Sequence, residues 1–185
     1  MSDYNENKRL SSVTREQFPS DKIEIYDHIM ESRKLTFMAD LFGVMAHSPG
    51  ALQSVASVGE HVRFNSVLDE VLREMVICTV SQEVGNFYEW CHHFHRMPEE
   101  MRNVVGTPAA EKLPSPRGPA LLYSRLLASN QTIDDNLIEK IRSSLGDRGL
   151  VDLTIMVGYY QLIGTFCKAL HVPIEDGLDR PPFKK

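Results

Sequence analysis

Residues 66–98 read SVLDEVLREMVICTVSQEVGNFYEWCHHFHRMP, and their pattern decides the fold. Ser66, with Asp69 three residues later, makes an approximate capping box. Val67, Val71, Met75 and Cys78 follow at helical spacing, with Leu68, Leu72 and Val80 beside them. The spacing predicts a helix to about Glu83, stopped at Gly85. A second helix begins at once, from about Phe87 to Met97, and Pro98 ends it. A proline also opens a following helix, here with Glu99 and Glu100 in its favoured first turn.

Working outward, Ile23, Ile25, Ile29, Leu35, Met38, Leu41 and Phe42 fall near helical spacing. His47-Ser48-Pro49-Gly50 is a break, and a short helix fits 51–58. Downstream, the stretch from Gly106 to Gly118 holds three prolines and is the longest loop. A short helix fits 119–129. Thr132 with Asp135 caps another, from about Asp134 to Leu145, which stops at Gly146. Residues 150–170 form a long, mostly apolar helix of the kind found in a core or an oligomer interface. There is no strand alternation and no short-period repeat, so the fold class is all-α. The domain plan is a polar arm over 1–22, mobile or ordered only against a partner subunit; one helical domain over 23–175; and a tail over 176–185.

The 185 residues suit one domain with a real core. A hydrophobic share of 42% against 24% charged is that of a globular chain. The net charge of −5 argues against a sequence-independent grip on nucleic acid, which needs clustered Lys and Arg. No uninterrupted apolar run reaches the roughly 18 residues of a membrane span. The stretch from Met1 to Ser12 has no apolar signal core, so a cytoplasmic location is expected. Three widely spaced cysteines, Cys78, Cys91 and Cys167, make neither a disulfide framework nor a zinc knuckle, and their apolar neighbours suggest buried thiols.

Chemistry concentrates in 73–96. Glu89 and His93 are four apart and so neighbours on a helix surface. A carboxylate beside an imidazole can fix its tautomer and makes a usable proton-transfer pair. Glu74 lies on the preceding helix and approaches the pair if that helix folds back through Gly85. The same spacing also describes an exposed pair worth a few tenths of a kcal/mol. Tyr88 and Trp90 fit a core as well as a pocket wall. Glu89-x-x-His92 has the spacing of half a di-iron site, but no second Glu-x-x-His occurs, and His92 and His93 point about 100° apart on a helix. No metal and no cofactor are expected.

Arg73-Glu74 followed by Tyr88-Glu89-Trp90-x-x-His93 resembles the signature of the carboxymuconolactone decarboxylase-like family, which includes the AhpD alkylhydroperoxidases. The stretch from Leu145 to Leu153, with Val157-Gly158-Tyr159-Tyr160 after it, resembles that family's C-terminal helix, and His47-Ser48-Pro49 also fits. The likeness spans about residues 35–175. It implies an AhpD-like helical bundle built round a central antiparallel helix pair, usually assembled as a homo-oligomer. AhpD-type peroxidases carry a Glu, a Cys-x-x-Cys pair and a His; aligned on Glu74 and His93, the two cysteines fall on Asn86 and Glu89. Disulfide exchange needs a thiolate and a resolving thiol, so that peroxidase reaction is not expected here.

The decarboxylase branch protonates carbon as carbon dioxide leaves a small lactone acid, which suits the retained Glu and His. Pro98 follows His93 by only five residues, where the family continues for nearly two helical turns. The classical substrate is therefore not carried over. The expectation is a cofactor-free lyase or isomerase acting on a small carboxylated or lactone metabolite. His93 would be the main proton carrier, Glu89 its orienting partner and Glu74 a second acid/base; Asn86, Tyr88, Trp90 and Tyr159 would bind substrate. The alternatives are a non-enzymatic oligomer of the same fold and a redox role through Cys91.

Overall fold

The computed structural model describes residues 8–183, whose regular elements are all helical, with no strand among them. Eight α-helices follow in order: α1 Ile23–Ser32, α2 Asp40–Met45, α3 Pro49–Glu60, α4 Glu70–Val84, α5 Phe87–His93, α6 Glu99–Arg102, α7 Arg117–Ala128 and α8 Asp135–Leu170. The helix expected near Ser66 starts later. Asp69 is the N-cap, its carboxylate accepting the Leu72 N–H at 2.9 Å, while Ser66 Oγ donates back to the Val62 carbonyl. Asp69 therefore satisfies one of the helix's orphan donors, and Ser66 closes the turn before it. The single apolar run expected between 22 and 43 divides into α1 and α2.

α4 is the buried axis. Its residues from Leu72 to Ser81, Arg73 aside, are buried on every side, among them Met75, Val76, Ile77 and Cys78. α5, α7 and α8 pack round it. Gly85 ends α4 with φ 72° and ψ 33°, a left-handed position that costs a glycine little. The Asn86 N–H then reaches back to the Ser81 carbonyl at 2.7 Å, closing a Schellman turn. That reversal sends α5 back along α4, so the seven residues of α5 return to the level of Glu74. This is the antiparallel pair that places the site.

α8 is broken at Gly146 (φ 72°, ψ 175°), where the sequence signals a stop. Its second part supplies Leu153, Met156, Val157, Tyr160 and Ile163 to the core. By length and composition α8 could cross a bilayer, with a mean hydropathy of 1.3 over 18 residues, but half of that stretch is buried in the domain, as in a core helix. Between α3 and α4, residues His61–Asn65 wind as a π-helix. Asp152 of α8 pins this turn, accepting from the Val67 N–H and facing His61 Nε2, both at 2.9 Å. π-Turns are rare and recur at functional sites.

Two expectations about the termini are corrected within the described residues. The stretch 8–22, read as mobile or partner-dependent, docks on its own domain. Phe18 is 4% exposed and meets Tyr26 edge-on at 5.6 Å, and the Val13 N–H bonds the Gly43 carbonyl at 2.9 Å. Isolated apolar residues in a polar stretch carry no periodicity, so the sequence hides this contact. Residues 1–7 lie outside the described part. Beyond α8, the tail is not separate either: Phe183 packs on Phe87 and Trp90 at 5.3 and 5.4 Å. Truncating Phe18 to Ala should lower the unfolding free energy by about 3 kcal/mol in a urea titration; a loss under about 0.5 kcal/mol would show that the segment is not packed.

Candidate active site

His93, at the last turn of α5, lies between two carboxylates. Its Nδ1 is 2.5 Å from Glu74 Oε2 and its Nε2 is 3.0 Å from Glu89 Oε2. All three are buried, at 2%, 3% and 5% exposure for His93, Glu74 and Glu89. The exposed-pair reading of Glu89 and His93 therefore does not hold. Two helices make the arrangement: Glu89 comes from one turn earlier on α5, and Glu74 from the first turns of α4. Tyr160 of α8 closes one side, its ring edge-on to the imidazole at 5.8 Å.

Arg63, on the π-turn, stands beside the cluster. Its guanidinium is 3.8 Å from Glu74 Oε1 and 3.5 Å from His93 Nε2. Arg63 Nη1 reaches Nε2 in a long hydrogen bond, and the Glu89 carboxylate stands beside the same nitrogen at ion-pair distance. With His93 as imidazolium, Arg63 and His93 balance the two carboxylates, so the buried group has no net charge. Burial pushes the Glu74 carboxyl up, but the hydrogen bond and charge of His93, with Arg63 and Arg96, outweigh it and hold Glu74 below the ordinary carboxylate value.

The cluster borders a cavity of about 200 Å³, lined on the α5 side by Tyr88, Glu89, His92 and His93. Glu74 is not among the lining residues, so it lies behind His93 while Glu89 and His93 face the space. Tyr159 and Tyr160 form the α8 wall, and Gly59 lets α3 come close to it; a Cβ there would fall on the Tyr159 ring. Three guanidiniums, Arg33, Arg63 and Arg96, reach the walls. Arg33 is fixed over the Phe42 ring at 4.9 Å and donates to the Ala56 carbonyl at 2.7 Å.

Of the residues expected to bind substrate, Tyr88 and Tyr159 line this cavity and Asn86 and Trp90 do not. Asn86 is the N-cap of α5, its Oδ1 accepting the Glu89 N–H at 3.3 Å. Trp90 is a core residue packed against Phe94 and edge-on to Phe183. Helical spacing alone does not separate an inward face from a cavity face on a helix buried on most sides.

Four residues escaped the sequence reading: Arg33, Arg63 and Arg96 on the cavity walls, and Glu175 behind them. Glu175, five residues beyond α8, accepts from the Tyr88 hydroxyl at 2.7 Å and the Asp40 N–H at 2.8 Å, and faces His92 Nε2 at 2.8 Å. Nothing in its local sequence marks it, because its partners are more than eighty residues away. The three cysteines are buried. Burial pushes the Cys91 thiol up to about 12, which removes the thiolate a redox role needs. Among the described residues no group of three or more His, Cys, Asp and Glu is placed to hold a metal ion.

No family model and no curated protein sequence matches the chain. Among solved structures, the apo crystal structure of the debrominase Bmp8 is similar, with a TM-score of 0.67 at 14% identity over 92% of this chain and 94% of that one. The likeness is one of fold, and it supports the all-helical architecture read from the spacing of apolar residues.

Burial pushes the Glu175 carboxyl up, but the bond and charge of His92, then Tyr88 and the Asp40 N–H, hold it down at about 2. A depressed folded-state pKa stabilises fully above the ordinary 4.5 and loses that stabilisation as pH falls towards 2. The contribution is roughly 3 kcal/mol. Unfolding free energies measured across this acid range should show a shallower fall for Glu175→Gln than for the parent. Parallel curves would mean that Glu175 is not held as a carboxylate.

Proposed function

We propose that the chain is a cofactor-free acid–base enzyme, a lyase or isomerase, acting on a small carboxylated or lactone-type metabolite. The observation that carries the reading is the buried line Glu74–His93–Glu89 that ends at the cavity. Both imidazole nitrogens are within hydrogen-bond distance of a carboxylate oxygen, and a carboxylate can only accept. The hydrogen bond to Glu74 therefore holds a proton on one of its two atoms, and the Glu89 carboxylate stands 3.0 Å from the other nitrogen. A proton can sit on His93 or move to Glu89 without any heavy atom leaving its place.

The roles differ from those read in sequence. Glu74, behind the ring, orients it and balances its charge. His93 passes protons. Glu89 meets the substrate, since its Oε1 has no hydrogen-bond partner among the described residues and the residue lines the cavity. In a decarboxylation the carbon–carboxylate bond breaks, carbon dioxide leaves and its electron pair stays on carbon. His93 passes a proton to the Glu89 carboxylate, Glu89 gives it to that carbon and is a carboxylate again, and solvent restores His93. Positioned acids and bases of this kind contribute roughly 10²- to 10⁴-fold.

Two features support the substrate class. The cavity is smaller than the roughly 300–1,000 Å³ of drug-sized sites, which suits a small metabolite. Its walls carry three arginines against Glu89 as their carboxylate, in a chain whose net charge is −5. Guanidinium forks match a substrate carboxylate. The structural neighbour's name, a debrominase, is that of an enzyme, which favours catalysis over a purely structural role on this fold. A non-enzymatic oligomer would leave the Glu and His groups solvated or in an interface, with no cavity at them. Assembly itself is implied by the family resemblance, and Val151, Ile155 and Leu162 along the exposed side of α8 offer a surface for it.

Small carboxylated lactones and β-keto acids incubated with the protein in deuterium oxide should yield products deuterated at the protonated carbon, read by proton NMR. Glu89→Gln should lower kcat by about 100-fold or more. Turnover that survives both Glu89→Gln and His93→Asn would overturn the mechanism.

A further inference from the structure

A second histidine faces the same cavity with a different set of partners. We propose that His92, held by Glu175, is a second proton carrier of this cavity, separate from the Glu74–His93–Glu89 line. His92 follows Tyr88 by one helical turn, and their rings lie 4.5 Å apart at 35°. Both residues line the cavity, whereas Glu175 sits behind them. Glu175 gathers three donors: the Tyr88 hydroxyl, the Asp40 N–H and His92 Nε2.

The hydrogen-bond count fixes the tautomer. A carboxylate accepts and does not donate, so His92 Nε2 carries the hydrogen that faces Glu175. The lone pair of neutral His92 is then on Nδ1, which has no hydrogen-bond partner among the described residues. His93 is the opposite case, with a carboxylate at each nitrogen. The two histidines therefore divide the work: His93 is wired into a line, and His92 keeps an open acceptor. Glu175 is a positioning residue, acting through His92.

Two carriers on one cavity change the class of reaction it suits. The inference rests on the reading that substrate binds in this cavity. A decarboxylation needs a proton delivered to one carbon. With an open imidazole nitrogen as well, a substrate C–H bond can break with its proton going to His92 Nδ1 and its electron pair shifting along the carbon framework. Glu89 then gives a proton to a second carbon. The substrate's formula is unchanged and nothing is oxidised or reduced; His92 and Glu89 return to their starting states by exchange with solvent. That is an isomerisation by proton transfer, and it narrows the choice between lyase and isomerase towards the second.

The test needs no substrate. In full-length protein labelled with nitrogen-15 at histidine, two-bond correlation spectra should show neutral His92 as the Nε2–H tautomer, and Glu175→Gln should make that tautomer mixed. Diethyl pyrocarbonate should modify His92 at least an order of magnitude faster than His93, as mapped by mass spectrometry. Ala39, the N-cap of α2, lines the cavity, and Ala39→Trp, which fills it from that side, should slow modification of His92. An Nδ1–H tautomer, an unreactive His92, or a folded Ala39→Trp protein with unchanged reactivity would overturn the proposal; if Ala39→Trp does not fold, the parent spectra still decide. Glu89→Gln should keep both signatures, so failure of the proton line and failure of this second carrier appear in different measurements.

Discussion

The site depends on one constraint: an imidazole buried between two carboxylates that come from two different helices. A buried charge is costly unless paired, and here each nitrogen of His93 meets an oxygen while Arg63 offsets the remaining charge. The pairing holds only if α5 returns along α4 at the right height. Gly85 and the Asn86–Ser81 bond set that return, and the Asn86 side chain caps the helix that carries Glu89 and His93. The short antiparallel pair is therefore a positioning device as much as a packing unit.

The rest of the fold encloses this device. α8 supplies two tyrosines as one wall and Asp152 as the pin for the π-turn that carries Arg63. The segment after α8 brings Glu175 against Tyr88 and His92 and lays Phe183 on Trp90. The N-terminal stretch joins the same assembly, since Ser12 bonds Asp40, the residue whose N–H also meets Glu175. Both ends of the described chain thus converge on the α2 side of the cavity, and the second histidine is oriented from a part of the chain that looks like a tail.

What sequence reveals here follows physical range. Period showed the helices, and Gly85 and Gly146 as breaks marked two turns correctly, because these signals act within a few residues; the caps were read early, Ser66 for Asp69 and Thr132 for Asp134. The Glu89–His93 pair was legible as an i,i+4 spacing, and Glu74 was legible once the turn between the helices was read. Burial was not, and it is burial that separates this cluster from a surface ion pair. Asn86 and Trp90 do not line the cavity, and their spacing could not tell, because a helix covered on most sides gives no clue to which face meets empty space. Glu175, Arg33 and Arg63 were silent because their meaning comes from contacts across the fold, and the docking of Phe18 for the same reason.

The site turns on a proton held between His93 Nδ1 and Glu74, on the side of the ring away from the cavity. One-dimensional proton NMR of the low-field region tests it directly. The Nδ1–H of His93, shared with Glu74 over a short contact, should give a far-downfield resonance that exchanges slowly with solvent and vanishes in Glu74→Gln. A spectrum without it, in which the His93 ring protons exchange as quickly as those of exposed His28, would contradict the account.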